Sequence, residues 1–125
     1  MKIVIKNQSE LPIYAQIREQ IRDQILSGEL PEGSVLPSIR RLAQETGVSV
    51  ITTTRAYSEL EREGFITSMQ GRGSVVLPRD NAMVREQVLR RIEEHLSAAL
   101  ETARAVGMDR AELDAILDAL WSNEE

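Results

Sequence analysis

The stretch from Leu36 to Pro78, LPSIRRLAQETGVSVITTTRAYSELEREGFITSMQGRGSVVLP, constrains the fold of this chain more than any other. Ser38 can cap a short helix with Ile39, Leu42 and Ala43 facing inward, and Gly47 ends it. Ser49 can cap a second helix. Its inward positions, Thr53, Ala56, Tyr57 and Leu60, fall at i, i+3, i+4 and i+7, and Gly64 closes it. Phe65 to Thr67 and Ser74 to Leu77 then read as short strands around the tip Gln70-Gly71-Arg72-Gly73. Helix, turn, helix and glycine-tipped hairpin is the order of a helix-turn-helix (about 38–63) with a two-stranded wing (about 65–77). A helix held on such a turn can enter a DNA groove while a neighbouring basic tip grips the backbone.

The flanks supply a scaffold. Lys2 to Lys6 (KIVIK) alternates and is β-branched, which suits either an edge strand or an extended arm over residues 1–10. Pro12 opens a helical pattern in which Ile13, Ile17, Ile21 and Ile25 recur every four residues, and Gly28 stops it. Leu30-Pro31-Glu32-Gly33 reads as a turn. A boundary falls at Pro78 to Asn81, so residues 11–79 read as the winged domain and 80–125 as a helical tail. Val84, Val88, Ile92, Leu96, Leu100 and Ala103 form a stripe along a long helix that breaks at Gly107. Asp109 with Glu112 has capping-box spacing, and Leu113, Ile116, Leu117, Leu120 and Trp121 form a second stripe. Two amphipathic helices in so small a tail cannot bury both stripes alone. The expectation is a mainly α chain with a small β-wing, whose tail meets a second copy of itself through these residues, Val84 to Leu100 and Leu113 to Trp121. The other reading packs the tail on its own winged domain.

Bulk composition excludes several classes. There is no cysteine, which removes disulfides, thiolate catalysis and cysteine-based zinc sites. The lone His95 and the acids Asp109, Asp114 and Asp118 fit a solvated helix face better than a metal site. No phosphate-binding glycine loop, nucleophile–base pair or cofactor motif occurs, so neither enzyme nor cofactor is expected. No run nears the roughly 18 apolar residues of a membrane span, and no signal-peptide h-region opens the chain, which points to the cytoplasm. The net charge of −5 argues against a polyanionic partner until the chain is divided. Residues 1–79 hold ten Lys and Arg against nine Asp and Glu, whereas residues 80–125 hold five against eleven. The acidity lies in the tail, and groove contact depends on where charge sits.

From Leu11 to Leu77 the sequence resembles the GntR-type bacterial winged-helix repressor domain. The PIYAQI opening, ILSGEL-PEG, LPSIRRLA, the Gly-Val turn, TRAYSELEREGFI and the GRG wing all fall in order at family spacing. Larger branches append ligand-binding or enzyme-like domains, but here about 45 helical residues follow. That is similar to the YtrA subfamily, whose short tail is a two-helix dimerisation element. The resemblance implies a homodimeric repressor on a pseudo-palindromic double-stranded DNA operator, with neighbouring transporter genes as targets. It names no small-molecule effector. Any signal would enter at the dimer interface or between tail and winged domain.

The resemblance also marks the DNA-facing residues. Ser38 and Arg40 of the PSxR motif are expected at the DNA: Arg40, after the Ser38 cap, matches the arginine that contacts DNA there, and guanidinium suits phosphate or a guanine edge. Thr52 matches the family's threonine, and Ser49 stands beside it as a phosphate ligand or simply a helix cap. Arg55 reads as a backbone contact or as an i+4 partner of Glu59. Gly71, Arg72 and Gly73 form a wing tip suited to a minor groove, or a plain hairpin turn. The chain departs from the family at Val50, Thr53 and Thr54, where many members carry arginine or proline, valine, and a base-reading arginine. Val50 and Thr54 then read thymine methyls or use water, or Val50 simply packs. A winged helix repurposed for protein interaction is the alternative function.

Overall fold

The structure, a computed structural model, describes residues 1–123; Glu124 and Glu125, the end of the expected tail, lie outside the described residues. The elements are α1 (Ile13–Leu26), α2 (Ile39–Thr46), α3 (Val50–Arg62), β1 (Ile66–Met69), β2 (Gly73–Val76), α4 (Ala82–Ala105) and α5 (Arg110–Asn123). The chain is therefore mainly α with a small antiparallel wing, as the sequence pattern predicts. It divides into two compact units, with the division between Gln87 and Val88, inside α4.

The first unit is built on α1. Its four-residue spacing puts Ile17, Ile21 and Ile25 on one fully buried stripe, against α3 with Ala56 and Leu60. Full burial of one such side chain contributes about 1.5–3 kcal/mol. Phe65, Ile66, Val76 and Leu42 complete the core. The hairpin pairs Ile66 with Val76 and Met69 with Gly73. A third segment that the sequence pattern does not reveal joins this sheet. Val35 bridges to Val75, while the Gly33 and Leu36 amides donate to the Val76 and Ser74 carbonyls, both at 2.8 Å.

The KIVIK segment is an arm rather than a strand. Gln16, Gln20 and Gln24, one helical turn apart on α1, hold its backbone as a neighbouring strand would. Gln20 donates to the Val4 carbonyl at 2.8 Å and accepts from the Val4 amide at 2.9 Å. Gln16 does the same for Lys6, at 2.9 and 2.8 Å.

The expected boundary near residue 80 lies too early, because the first turn of α4 is anchored in the first unit. Asn81 caps that helix, its Oδ1 accepting from the Val84 amide at 2.9 Å, while its Nδ2 donates to the Gly64 carbonyl at 3.1 Å. Gly64 has φ +88°, and a Cβ there would stand 2.6 Å from Met83 Cβ. Val84 follows at 1% exposure. In the second unit α4 ends on carbonyls capped by Gly107 and Met108, and α5 starts with the Asp109 carboxylate accepting from the Glu112 amide at 2.9 Å.

Candidate nucleic-acid interface

Local chemistry explains how α2 and α3 are held. Ser38 Oγ accepts from the Arg41 amide and Ser49 Oγ from the Thr52 amide, both at 3.1 Å, so each serine caps its helix. Gly47 turns the chain between them with φ +73°. Leu42 and Ala43 of α2 and Thr53, Ala56, Tyr57 and Leu60 of α3 are buried, which matches the inward faces read from spacing, while Ile39 is half-buried. Tyr57 Oη donates to the Pro37 carbonyl at 2.7 Å and so fixes α3 against the approach to α2. Burial, followed by the Glu45 charge, pushes the Tyr57 phenol well above its usual range, so it stays a donor.

With those faces turned inward, the start of α3 is left open to solvent. Val50 is 48% and Ile51 83% exposed. Thr54 is exposed beside them, and Thr52 is half-buried. Ile51 is not among the DNA-facing residues that the family resemblance marks, although its spacing turns it outward. It lies two residues before buried Thr53, so about 200° round the helix from it. Arg40 and Arg72 are exposed, and no hydrogen bond or ion pair engages either guanidinium among the described residues. Arg41, by contrast, pairs with Glu45 at 2.9 Å.

Arg55 is committed elsewhere. Its guanidinium stacks 3.7 Å above the Tyr14 ring and pairs with Glu59 at 3.2 Å, and Glu59 also binds Arg18. Tyr14 and Arg18 belong to α1, so this cluster clamps α1 to α3. Burial alone would raise the Glu59 carboxyl, but hydrogen bonds and charge from Arg18 and Arg55 outweigh it and hold the carboxyl below its usual range. The i+4 pair with Glu59 is formed, and the Arg55 side chain is still 60% exposed.

The wing tip is a turn closed by the Arg72 amide on the Met69 carbonyl at 2.9 Å, with Gly71 at φ +80° and Gly73 at φ +91°. Only glycine takes such φ values without cost, and nothing stands within 4 Å of a Cβ built at Gly71. The tip thus offers bare backbone at its two glycines beside one free guanidinium.

In the second unit α5 buries no residue, and Ile92, Leu96, Leu100, Ile116, Leu117, Leu120 and Trp121 are all exposed, Trp121 at 71%. Val88 and Leu113 are half-buried. Val84 does not belong with them: it is enclosed in the first unit and has no surface to offer a second copy. Among the described residues no helix is long and apolar enough to cross a membrane.

A helix-turn-helix with an open helix start and a basic glycine wing defines the winged-helix class of DNA readers. Known proteins narrow this further. Residues 13–76 match the family described as "Bacterial regulatory proteins, gntR family", and the chain belongs to that family. It is 34% identical over 111 residues to the HTH-type transcriptional repressor YtrA of Bacillus subtilis (strain 168), covering 89% of this chain and 85% of that one. The solved structure of YtrA from Sulfolobus acidocaldarius, a GntR-family transcription factor, is similar with a TM-score of 0.61 and 43% identity over 77% of this chain and 97% of that one. The AraR DNA-binding domain in complex with operator ORX1 superimposes with a TM-score of 0.53 at 30% identity, over 61% of this chain and 95% of that domain. The chain is a DNA-binding transcriptional regulator of the winged-helix type.

Proposed function

We propose that the chain acts as a homodimeric repressor that reads a pseudo-palindromic operator, with each copy presenting the start of α3 to a major groove. The observation that carries this reading is the exposure of Val50, Ile51 and Thr54 at the start of α3 and of the uncommitted Arg40 guanidinium, with the Arg72 guanidinium free at the wing. Arg40 and Arg72 bind phosphates, or Arg72 reaches the minor groove, and the amides at the start of α3 add the helix dipole. Ser38 and Ser49 support the interface as caps, and Thr52 places its hydroxyl at the same helix start. Arg55 ties α3 to α1 through Tyr14 and Glu59 while its side chain stays 60% exposed. Gly71 and Gly73 let the wing backbone approach closely.

The second copy docks on the apolar stripes of α4 and α5, with Val88, Ile92, Leu96 and Leu100 on one helix and Leu113, Ile116, Leu117, Leu120 and Trp121 on the other. An uncovered stripe of this size on a small unit is the mark of a self-associating face. Two copies set their recognition helices about 34 Å apart, one turn of duplex. On this reading the targets are neighbouring transporter genes, repressed in the cytoplasm without catalysis. A second reading, a protein-interaction module, draws on the exposed Val50 and Ile51.

The test is capture of genomic fragments by the purified chain, with light scattering on the same sample. The expected result is enrichment of a dyad-symmetric site by a particle of twice the chain mass. Enrichment of no sequence would favour the interaction module, and a monomeric particle bound to a single half-site would refute the dimer.

A further inference from the structure

How operator bases are told apart is decided by the side chains at the start of α3. Side chains that discriminate purines do so with paired polar groups, arginine or lysine on guanine and asparagine or glutamine on adenine. None of these projects from the first turn of α3: residues 49–54 are Ser, Val, Ile, Thr, Thr, Thr. The hydroxyls there are largely spent inside the helix. Thr53 Oγ1 donates to the Ser49 carbonyl at 3.0 Å and Thr54 Oγ1 to the Val50 carbonyl at 2.7 Å. Ser49 Oγ donates to Thr52 Oγ1 at 2.9 Å. With its oxygen turned back on the helix, Thr54 has a methyl group left to present. The only guanidinium on the next turn, Arg55, lies against Tyr14 and Glu59. The outward chemistry of this helix start is therefore aliphatic, led by Ile51.

In the major groove only thymine offers a carbon group, its C5-methyl. We propose that Ile51, with Val50 and Thr54 beside it, specifies the operator by packing on thymine methyl groups. The bases facing the helix start are then A·T pairs, chosen for methyls rather than for hydrogen-bond edges. Ile51 is the principal specificity-determining residue, and Arg40 and Arg72 supply affinity without choosing sequence. The inference rests on the operator-binding reading, and its test separates the two.

The experiment selects the preferred duplex from a random-sequence library with the full chain. It then replaces each thymine of the selected half-site by deoxyuridine, which differs only by that methyl. Removing one buried methyl is worth about a four-fold change in Kd, and a symmetry-related pair about fifteen-fold. Cytosine replaced by 5-methylcytosine places a methyl in the same region of the groove, so a T·A to C·G change is expected to be partly rescued by it. Ile51→Ala, a change at an exposed position, is expected to abolish the thymine–deoxyuridine difference while binding stays salt-dependent. If every deoxyuridine substitution changes Kd by less than about two-fold in a duplex that is bound specifically, methyl reading is overturned and operator binding stands. Discrimination unchanged in Ile51→Ala removes Ile51 from that role. Selection of no sequence at all overturns operator binding, and methyl reading with it.

Discussion

Replacing Gly64 by alanine tests how the winged unit holds the start of α4. Two costs act at this position. The residue has φ +88°, and an L side chain in that region costs about 1–2 kcal/mol. Its Cβ would also stand 2.6 Å from Met83 Cβ and 3.1 Å from Asn81 Oδ1, and forcing carbon into filled space costs a further ~1–3 kcal/mol. Loss of unfolded-chain entropy offsets about 0.4–1 kcal/mol of this. The balance is a destabilisation of about 2–4 kcal/mol. Gly47→Ala is the matched control, since φ is +73° there but nothing lies within 4 Å of the new Cβ. It should lose only about 1 kcal/mol. The assay is urea unfolding of both variants at one fixed protein concentration, because association would otherwise shift the midpoints. Equal losses within about 0.5 kcal/mol would refute the idea that Met83 and Asn81 are packed immovably against the Gly64 corner.

Further outcomes follow from the same contacts. Glu59 is held below its usual range by Arg18 and Arg55, so its contribution is present above the ordinary carboxyl range and is lost as pH falls through its lowered folded value. Glu59→Gln should therefore flatten the acid limb of melting temperature against pH and lower stability at neutral pH. Thr53 is buried, but the Ser49 carbonyl it serves also accepts from its own amide at 3.1 Å, so Thr53→Val should stay within about 1 kcal/mol of the parent in urea unfolding. Trp121→Asp combined with Leu120→Asp should shift the particle to a single chain in light scattering, because a charge cannot be buried there unpaired. Gln20→Ala frees the backbone of Val4 and should raise amide exchange of the arm without altering the core.

Helices, wing and core are legible in the sequence because their signals are local. Isoleucines every four residues, serine caps and glycines at the ends each act within one turn of chain. Other features form between residues far apart. The segment around Val35 becomes sheet only because β2 lies beside it, some forty residues later in sequence. Gln16, Gln20 and Gln24 look like a solvated polar face until an extended arm lies along them. The Glu59 partner of Arg55 is one helical turn away and legible, but the Tyr14 ring under its guanidinium comes from α1 and is not. Val84 continues the tail stripe by spacing, yet the Asn81 cap draws its turn into the first unit. Ile51 differs from these. The spacing that buries Thr53 and Ala56 already turns it outward, but a branched aliphatic residue is not an obvious member of a DNA-reading set.

The salt dependence of binding to the selected operator tests most directly whether two copies grip DNA with Arg40 and Arg72. Four such arginines on four phosphates give a slope of log K against log salt of about −3.6, or about a hundredfold loss of affinity between 50 and 200 mM. Arg72→Ala should reduce the slope by about 1.8, since each dimer loses two contacts, and should weaken all sequences alike. A slope near zero, or one unchanged in Arg72→Ala and Arg40→Ala, would contradict the DNA-gripping role assigned to these side chains.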